Sequence, residues 1–154
     1  MTAARGQPPT PLGNMRFRLE IEGLPGGGAV AVVFPEARIA KGRRAGGVLY
    51  GPLIVRRGLT LARDWYEWWD AARRGRRPPR RSLRVVLQDG AGADAAAWLF
   101  QNTLPVAYHL SPLDALGNEP VLESLELAVG GFEAASAGSA SAARPKRRPR
   151  HDPQ

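Results

Sequence analysis

Leu53-Ile54-Val55-Arg56-Arg57-Gly58, Trp65-Tyr66-Glu67-Trp68-Trp69 and Ser82-Leu83-Arg84-Val85-Val86-Leu87 follow one another in the middle of the chain, and their reading decides the fold. The first and third pieces are rich in Val, Ile and Leu, the composition of strands. The second places Trp65, Trp68 and Trp69 at i, i+3 and i+4, on one face of a helix. That helix is predicted over Leu61 to Arg74. Asp64 lies at its start, as a cap or in the first turn. Arg73 and Arg74 close it, with Gly75 just beyond, and both ends suit the helix dipole.

Working outward, Asp89-Gly90 is a turn after the Ser82–Gln88 strand, and Ala96 to Asn102 is the hairpin partner, ending near Pro105. Val106 to Leu110 reads as a further short strand, and Ser111 to Pro120 as a turn-rich loop. Val121 to Val129 closes the sheet. Upstream, Phe17, Leu19 and Ile21 alternate with charged residues, a strand with one face buried. Pro25-Gly26-Gly27-Gly28 turns the chain into a second strand, Ala29 to Phe34, and the two read as a hairpin. Glu36 to Gly47 is polar, basic and glycine-containing and reads as a loop. Val48 to Arg57 reads as a strand interrupted at Gly51-Pro52, where the proline points to an edge or a bulge. About seven short strands and one helix make a mainly β fold, a β-sandwich or barrel flanked by one α-helix.

The chain has 154 residues, enough for one domain with a sizeable core. Residues 1–14 read as a flexible arm, 15–133 as the β domain and 134–154 as a disordered basic tail. Arm and tail have no apolar periodicity to offset the entropy of ordering. No run of about 18 apolar residues predicts a membrane span, and no apolar h-region marks the N-terminus as a secretory signal. With no cysteine, disulfides and thiolate metal sites are excluded. The formal net charge is +8; five basic residues and one acid lie after Ala134, so half of that excess is in the tail. Such a balance suits a solvated charged surface or a polyanion contact.

Candidate functional residues are few. The Trp65, Trp68 and Trp69 face either packs on the sheet or is partly buried between subunits, where Trp and Tyr are favoured. Arg73, Arg74, Arg76, Arg77, Arg80 and Arg81 form a dense basic run between helix and strand. It reads as a solvated loop or as an electrostatic contact with a neighbouring subunit or anionic cargo. His109, Ser111 and Asp114 lie close in sequence but lack the convergence that a triad needs. Glu123 and Glu126 are three apart on a strand and point to opposite faces, so they are a poor acid/base pair. Pro25-Gly26-Gly27-Gly28 lacks the Gly-Lys-Ser/Thr ending of a phosphate loop. No catalytic, cofactor-binding or metal-ligating set emerges.

Read together with Trp98-Leu99-Phe100-Gln101-Asn102-Thr103-Leu104-Pro105-Val106 and the series from Gly117-Asn118-Glu119-Pro120 to Leu127-Ala128, the segments from Leu53 to Phe132 resemble the inner tube proteins of contractile phage tails and related injection particles. The resemblance covers roughly half the chain and extends weakly to Phe17–Gly23. It implies a β-barrel or sandwich with a helix alongside, and a non-enzymatic subunit that forms a ring, a hexamer, and stacks into a hollow conduit. It also implies sheath and baseplate proteins as partners and assembly in the cytoplasm. Tube proteins usually carry a longer, acidic hairpin between the second strand and the Arg-Gly strand, reaching neighbouring subunits. Here Glu36 to Tyr50 is short and basic, with Arg38, Lys41, Arg43 and Arg44, which suits a specialised paralogue such as one at the tube-baseplate junction. The rival from another class is a small basic nucleic-acid-binding protein using Arg73–Arg81 and the tail.

Overall fold

The computed structural model describes residues 11–13, 16–25, 28–42, 47–75, 77 and 80–136. Their elements are β1 (Phe17–Ile21), β2 (Ala29–Val33), β3 (Ala37–Ile39), β4 (Val48–Tyr50), β5 (Leu53–Gly58), α1 (Asp64–Arg73), β6 (Arg81–Gln88), β7 (Asp94–Leu110), β8 (Leu122–Ala128) and β9 (Gly131–Ala135). The fold is mainly β with a single helix among the described residues, as the sequence patterning implies.

Seven strands form one antiparallel sheet that doubles over along β7. The first half of β7 lies between β6 and β9, and β1 pairs with β6 at the border. The second half pairs with β8, followed by β5 and then β2. The two layers therefore share one strand. Alternate residues point inward, so Leu19, Ile21, Leu83, Val85 and Phe100 from one layer meet Leu53, Val55, Leu125 and Leu127 from the other. Trp65 and Trp68 of α1 join the same core.

Several sequence expectations change. β1 and β2 are not a hairpin: Leu19 pairs with Val85 and Ile21 with Leu83, whereas Val32 pairs with Val55. Each strand finds an apolar partner in a different layer, and burial outweighs proximity in the chain. The 36–47 segment, expected to be a loop, contributes β3, which pairs with β4 as a separate two-stranded hairpin. Three-residue strands are too short to show a period. Pro52 lies between β4 and β5, and β5 is an interior strand flanked by β8 and β2, not an edge. Strand β8 is likewise interior, so it does not close the sheet.

The two strands expected on either side of Pro105 are one 17-residue strand. Pro105 is tolerated because this half of β7 borders only β8, and the register shifts between Pro105 and Ala107. Strand β9 carries the sheet to Ala135, two residues past the boundary expected at 133. The rest of the tail, 137–154, and most of the arm, 1–10, 14 and 15, lie outside the described residues.

The fold of β7 over itself centres on Asn102, which has φ 53. Asn tolerates this left-handed region better than most residues. The β8–β9 turn presses against it: Gly130 N–H donates to the Gln101 carbonyl at 3.0 Å, and a Cβ at Gly130 would stand 2.9 Å from the Asn102 Cβ. Gly130→Ala is expected to cost about 1–3 kcal/mol, the usual range for overpacking. Urea unfolding of the variant checks this; an unchanged midpoint means that the turn can move aside.

Candidate functional site

Arg57 occupies an inward position of β5, in step with Leu53 and Val55. Glu123 does the same on β8, in step with Leu125 and Leu127, and the two are direct cross-strand partners. Their pairing brings opposite charges together inside the molecule: Arg57 is 7% exposed and Glu123 1%. Arg57 Nε donates to Glu123 Oε1 at 2.7 Å. The other two guanidinium nitrogens reach the Asp64 carboxylate in the first turn of α1, Nη2 to Oδ1 at 2.5 Å and Nη1 to Oδ2 at 3.4 Å. The Trp65 ring covers the guanidinium at 4.2 Å from its centroid. Tyr108 Oη, from β7, donates to the second Glu123 oxygen at 2.5 Å.

One arginine thus joins β5, β8 and α1, and Tyr108 adds β7. Burial favours the neutral form of Asp64, yet hydrogen bonds and charge from Arg57 outweigh it and hold this carboxyl below the usual range. Burial, then the bond to Glu123, pushes the Tyr108 hydroxyl well above its ordinary value. The network is a clamp between helix and sheet.

These shifts fix the pH dependence of stability. The Asp64 carboxyl titrates lower in the folded chain, so the unfolded chain takes up its proton first and acid favours unfolding. Stability is expected to hold down to about pH 4, near the ordinary aspartate value, and to fall below it. Asp70 and Asp94 are lowered by hydrogen bonds to Arg73 and Arg18 and act in the same direction. At the alkaline end the raised Tyr108 ionises first in the unfolded chain, so its contribution is full below about pH 10 and lost above. Melting temperature against pH is the measurement, and Asp64→Asn should flatten part of the acid limb.

The aromatic face divides. Trp65 and Trp68 are buried in the core. Trp69 is half-buried and stacks on Tyr108, with centroids 5.7 Å apart. Glu67 is exposed. The basic run divides too. Arg73 and Arg74 both donate to Asp70, at 2.5 and 2.9 Å. Arg81 lies in β6, donates to the Glu22 carbonyl at 2.8 Å and sits over the Trp68 ring. Arg80 reaches the Asn102 carbonyl at 3.5 Å, Arg77 is exposed, and Arg76 lies outside the described residues. Ser111 Oγ accepts from Leu122 N–H and Asp114 Oδ1 from Leu116 N–H, so both serve the loop that holds them, and His109 is exposed. Among the described residues no group of three His, Cys, Asp or Glu could hold a metal ion.

What remains is surface. Strand β2 borders its layer with Val30 and Val33 exposed, and β1 borders the other. Between them opens an apolar groove of about 330 Å³ reaching from Phe17 and Val30 to Trp98. An open strand edge beside exposed apolar residues is a template on which another chain can pair.

That geometry coincides with a match of sequence. Residues 14–133 fit the T4-like virus tail tube protein gp19 family. The chain belongs to this family. As a member of this family the chain is a structural subunit of a tube. Solved structures share its fold. A chain of the anti-feeding prophage baseplate, 6-fold symmetrised, is 18% identical with a TM-score of 0.59, over 84% of this chain and 99% of that one. A chain of the sheath/tube terminator of the PVC extracellular contractile injection system is 14% identical with a TM-score of 0.68, over 83% and 99%. Hcp1 from Flavobacterium johnsoniae is 16% identical with a TM-score of 0.57, over 77% and 93%. No curated protein sequence matches the chain.

Sequence reasoning placed Asp64 at the start of the helix but did not bring Arg57 and Glu123 together. The signal was parity: Arg57 falls on the same face as Val55, and Glu123 on the same face as Leu125. A charged residue on the buried face of each of two strands predicts an internal pair.

Proposed function

We propose that the tail tube protein closes into a ring of six subunits, and that the rings stack into the hollow conduit of a contractile phage-tail-like injection apparatus. The observation that carries this reading is the pair of strands, β1 and β2, that border the sheet among the described residues, on either side of an apolar groove, in a chain of the tail tube family. Six subunits are supported by the fold shared with a chain of a baseplate of 6-fold symmetry. Sheath and baseplate proteins of the same apparatus are its partners, and assembly takes place in the cytoplasm. Placement at the tube-baseplate junction is supported by the short 36–50 segment.

Electron microscopy of the untagged protein, with light scattering over a range of concentrations, is the test. Rings are the expected result. A strict monomer, alone and with its sheath and baseplate proteins, refutes the reading. The rival nucleic-acid role is weakened by Asp70, which pairs with two of the six arginines of the run, and by Arg81, which lies against Trp68. Binding to DNA with a steep salt dependence would restore it.

A further inference from the structure

The groove between β1 and β2 has aromatic walls. Phe34, 39% exposed, lines it and meets the Trp98 ring edge-on, with centroids 5.1 Å apart. Phe17, Val30 and Leu87 share the lining. Strands β1 and β2 border the sheet on either side, so each has one edge without a ladder partner among the described residues. Such a place gains from a cover that brings apolar surface and few N–H groups of its own.

The chain itself supplies a segment of that kind beside the groove. Strand β1 begins at Phe17, a lining residue, and its ladder reaches back to Arg16, whose carbonyl accepts from Gln88 N–H at 2.8 Å. Residues 11–13 are exposed and line no part of the groove, and residues 1–10 lie outside the described residues. Residues 6–15 carry no charge, and Pro8, Pro9 and Pro11 fall among them. The family match covers 14–133, so residues 1–13 are outside the matched part. The tail after Ala134 is the other candidate, but its five basic residues suit an apolar groove poorly.

Prolines suit this place for two reasons. Proline-rich segments favour the polyproline II conformation, so they lose little entropy on docking in an aromatic groove. Proline also has no N–H, so it covers a strand edge without extending the ladder. Length agrees as well. Five residues of polyproline II span about 15 Å, and a five-residue strand such as β1 or β2 spans about 17 Å. Gly13-Asn14, between the prolines and β1, is a pair that reverses a chain.

We infer that residues 7–10 of the arm seat in the groove of their own subunit, with Pro8 and Pro9 against Phe34 and Trp98. The connection through residues 11–16 is short, which holds the segment near its groove at a high effective concentration. The seated arm closes the borders of β1 and β2, so a neighbouring subunit reaches these edges only by displacing it. The lone subunit is thereby kept from pairing. This consequence deepens the ring reading and rests on it, whereas the seating does not.

The chain has no cysteine, so two introduced thiols report on one contact. Pro9→Cys is combined with Val30→Cys in the groove or with Val106→Cys outside it; both valines are 55% exposed. Under mild oxidation the Val30 pair is expected to close within one chain, in several-fold higher yield than the Val106 pair and unaffected by dilution. A charge placed at the seat, Pro8→Asp, should lower that yield several-fold. The chain locked by the disulfide should stay monomeric in light scattering, and reduction should release ring formation. Four results overturn the inference: equal yields for the two valines, a yield unmoved by Pro8→Asp, crosslinks between chains in place of those within one, or a locked chain that forms rings as the reduced one does. A native chain that forms no rings refutes the ring reading instead, and the crosslink yields still decide the seating.

Discussion

Replacing Arg57 with Met is expected to destabilise the protein by about 3–5 kcal/mol, the cost of breaking a buried ion pair from one side. The side-chain volume stays similar, so packing changes little. What changes is that Glu123, 1% exposed, is left buried with Tyr108 as its remaining side-chain partner. The Asp64 carboxylate loses its partner too, and with it the tie between α1 and the sheet. At about 2–4 °C per kcal/mol for a chain of this size, melting should drop by roughly 10 °C. Adding Glu123→Leu and Tyr108→Phe removes the stranded acid and its hydroxyl together, and much of the loss should return, because apolar replacement of a buried ion pair is close to neutral. Urea unfolding of both variants decides it. If Arg57→Met is as stable as the triple variant, the stranded charge costs nothing and the clamp is not what holds the helix.

The same residues show what a sequence gives and withholds. The helix was legible because three tryptophans at i, i+3 and i+4 admit one arrangement, and the middle strands because their apolar residues alternate. Pairing was not legible for β1 and β2. Proximity and a glycine-rich connection favoured a hairpin, whereas the apolar faces of Leu19 and Val32 select β6 and β5 from across the chain. Pro105 was misleading for a related reason. A proline stops a strand only where both sides are paired, and no local pattern says that β7 runs along a border there. The hairpin β3–β4 was invisible because three residues cannot show a period. The clamp was half visible: the parity of Arg57 and Glu123 is in the sequence, but their meeting depends on β5 lying beside β8.

The last test concerns the helix, where core and assembly can be told apart. Trp68 is 3% exposed and packs in the core under Arg81, whose guanidinium lies 5.4 Å from its ring centroid. Trp68→Ala is expected to cost about 3–5 kcal/mol, the usual loss for a buried large aromatic. Trp69 sits on the neighbouring position of the same face but is half-buried, between Tyr108 and Arg73. Truncating it removes a ring that water already reaches, so the fold should lose less. The proposed ring would bring a second subunit to the part of that indole that stays exposed, a place where Trp is favoured. Circular dichroism melting and light scattering, run on each single variant, separate the two roles. Trp68→Ala should melt early, whereas Trp69→Ala should fold and show its defect in ring formation. If Trp69→Ala assembles as the native chain does, the helix face serves the subunit interior alone, and the proposed assembly rests on the strand edges.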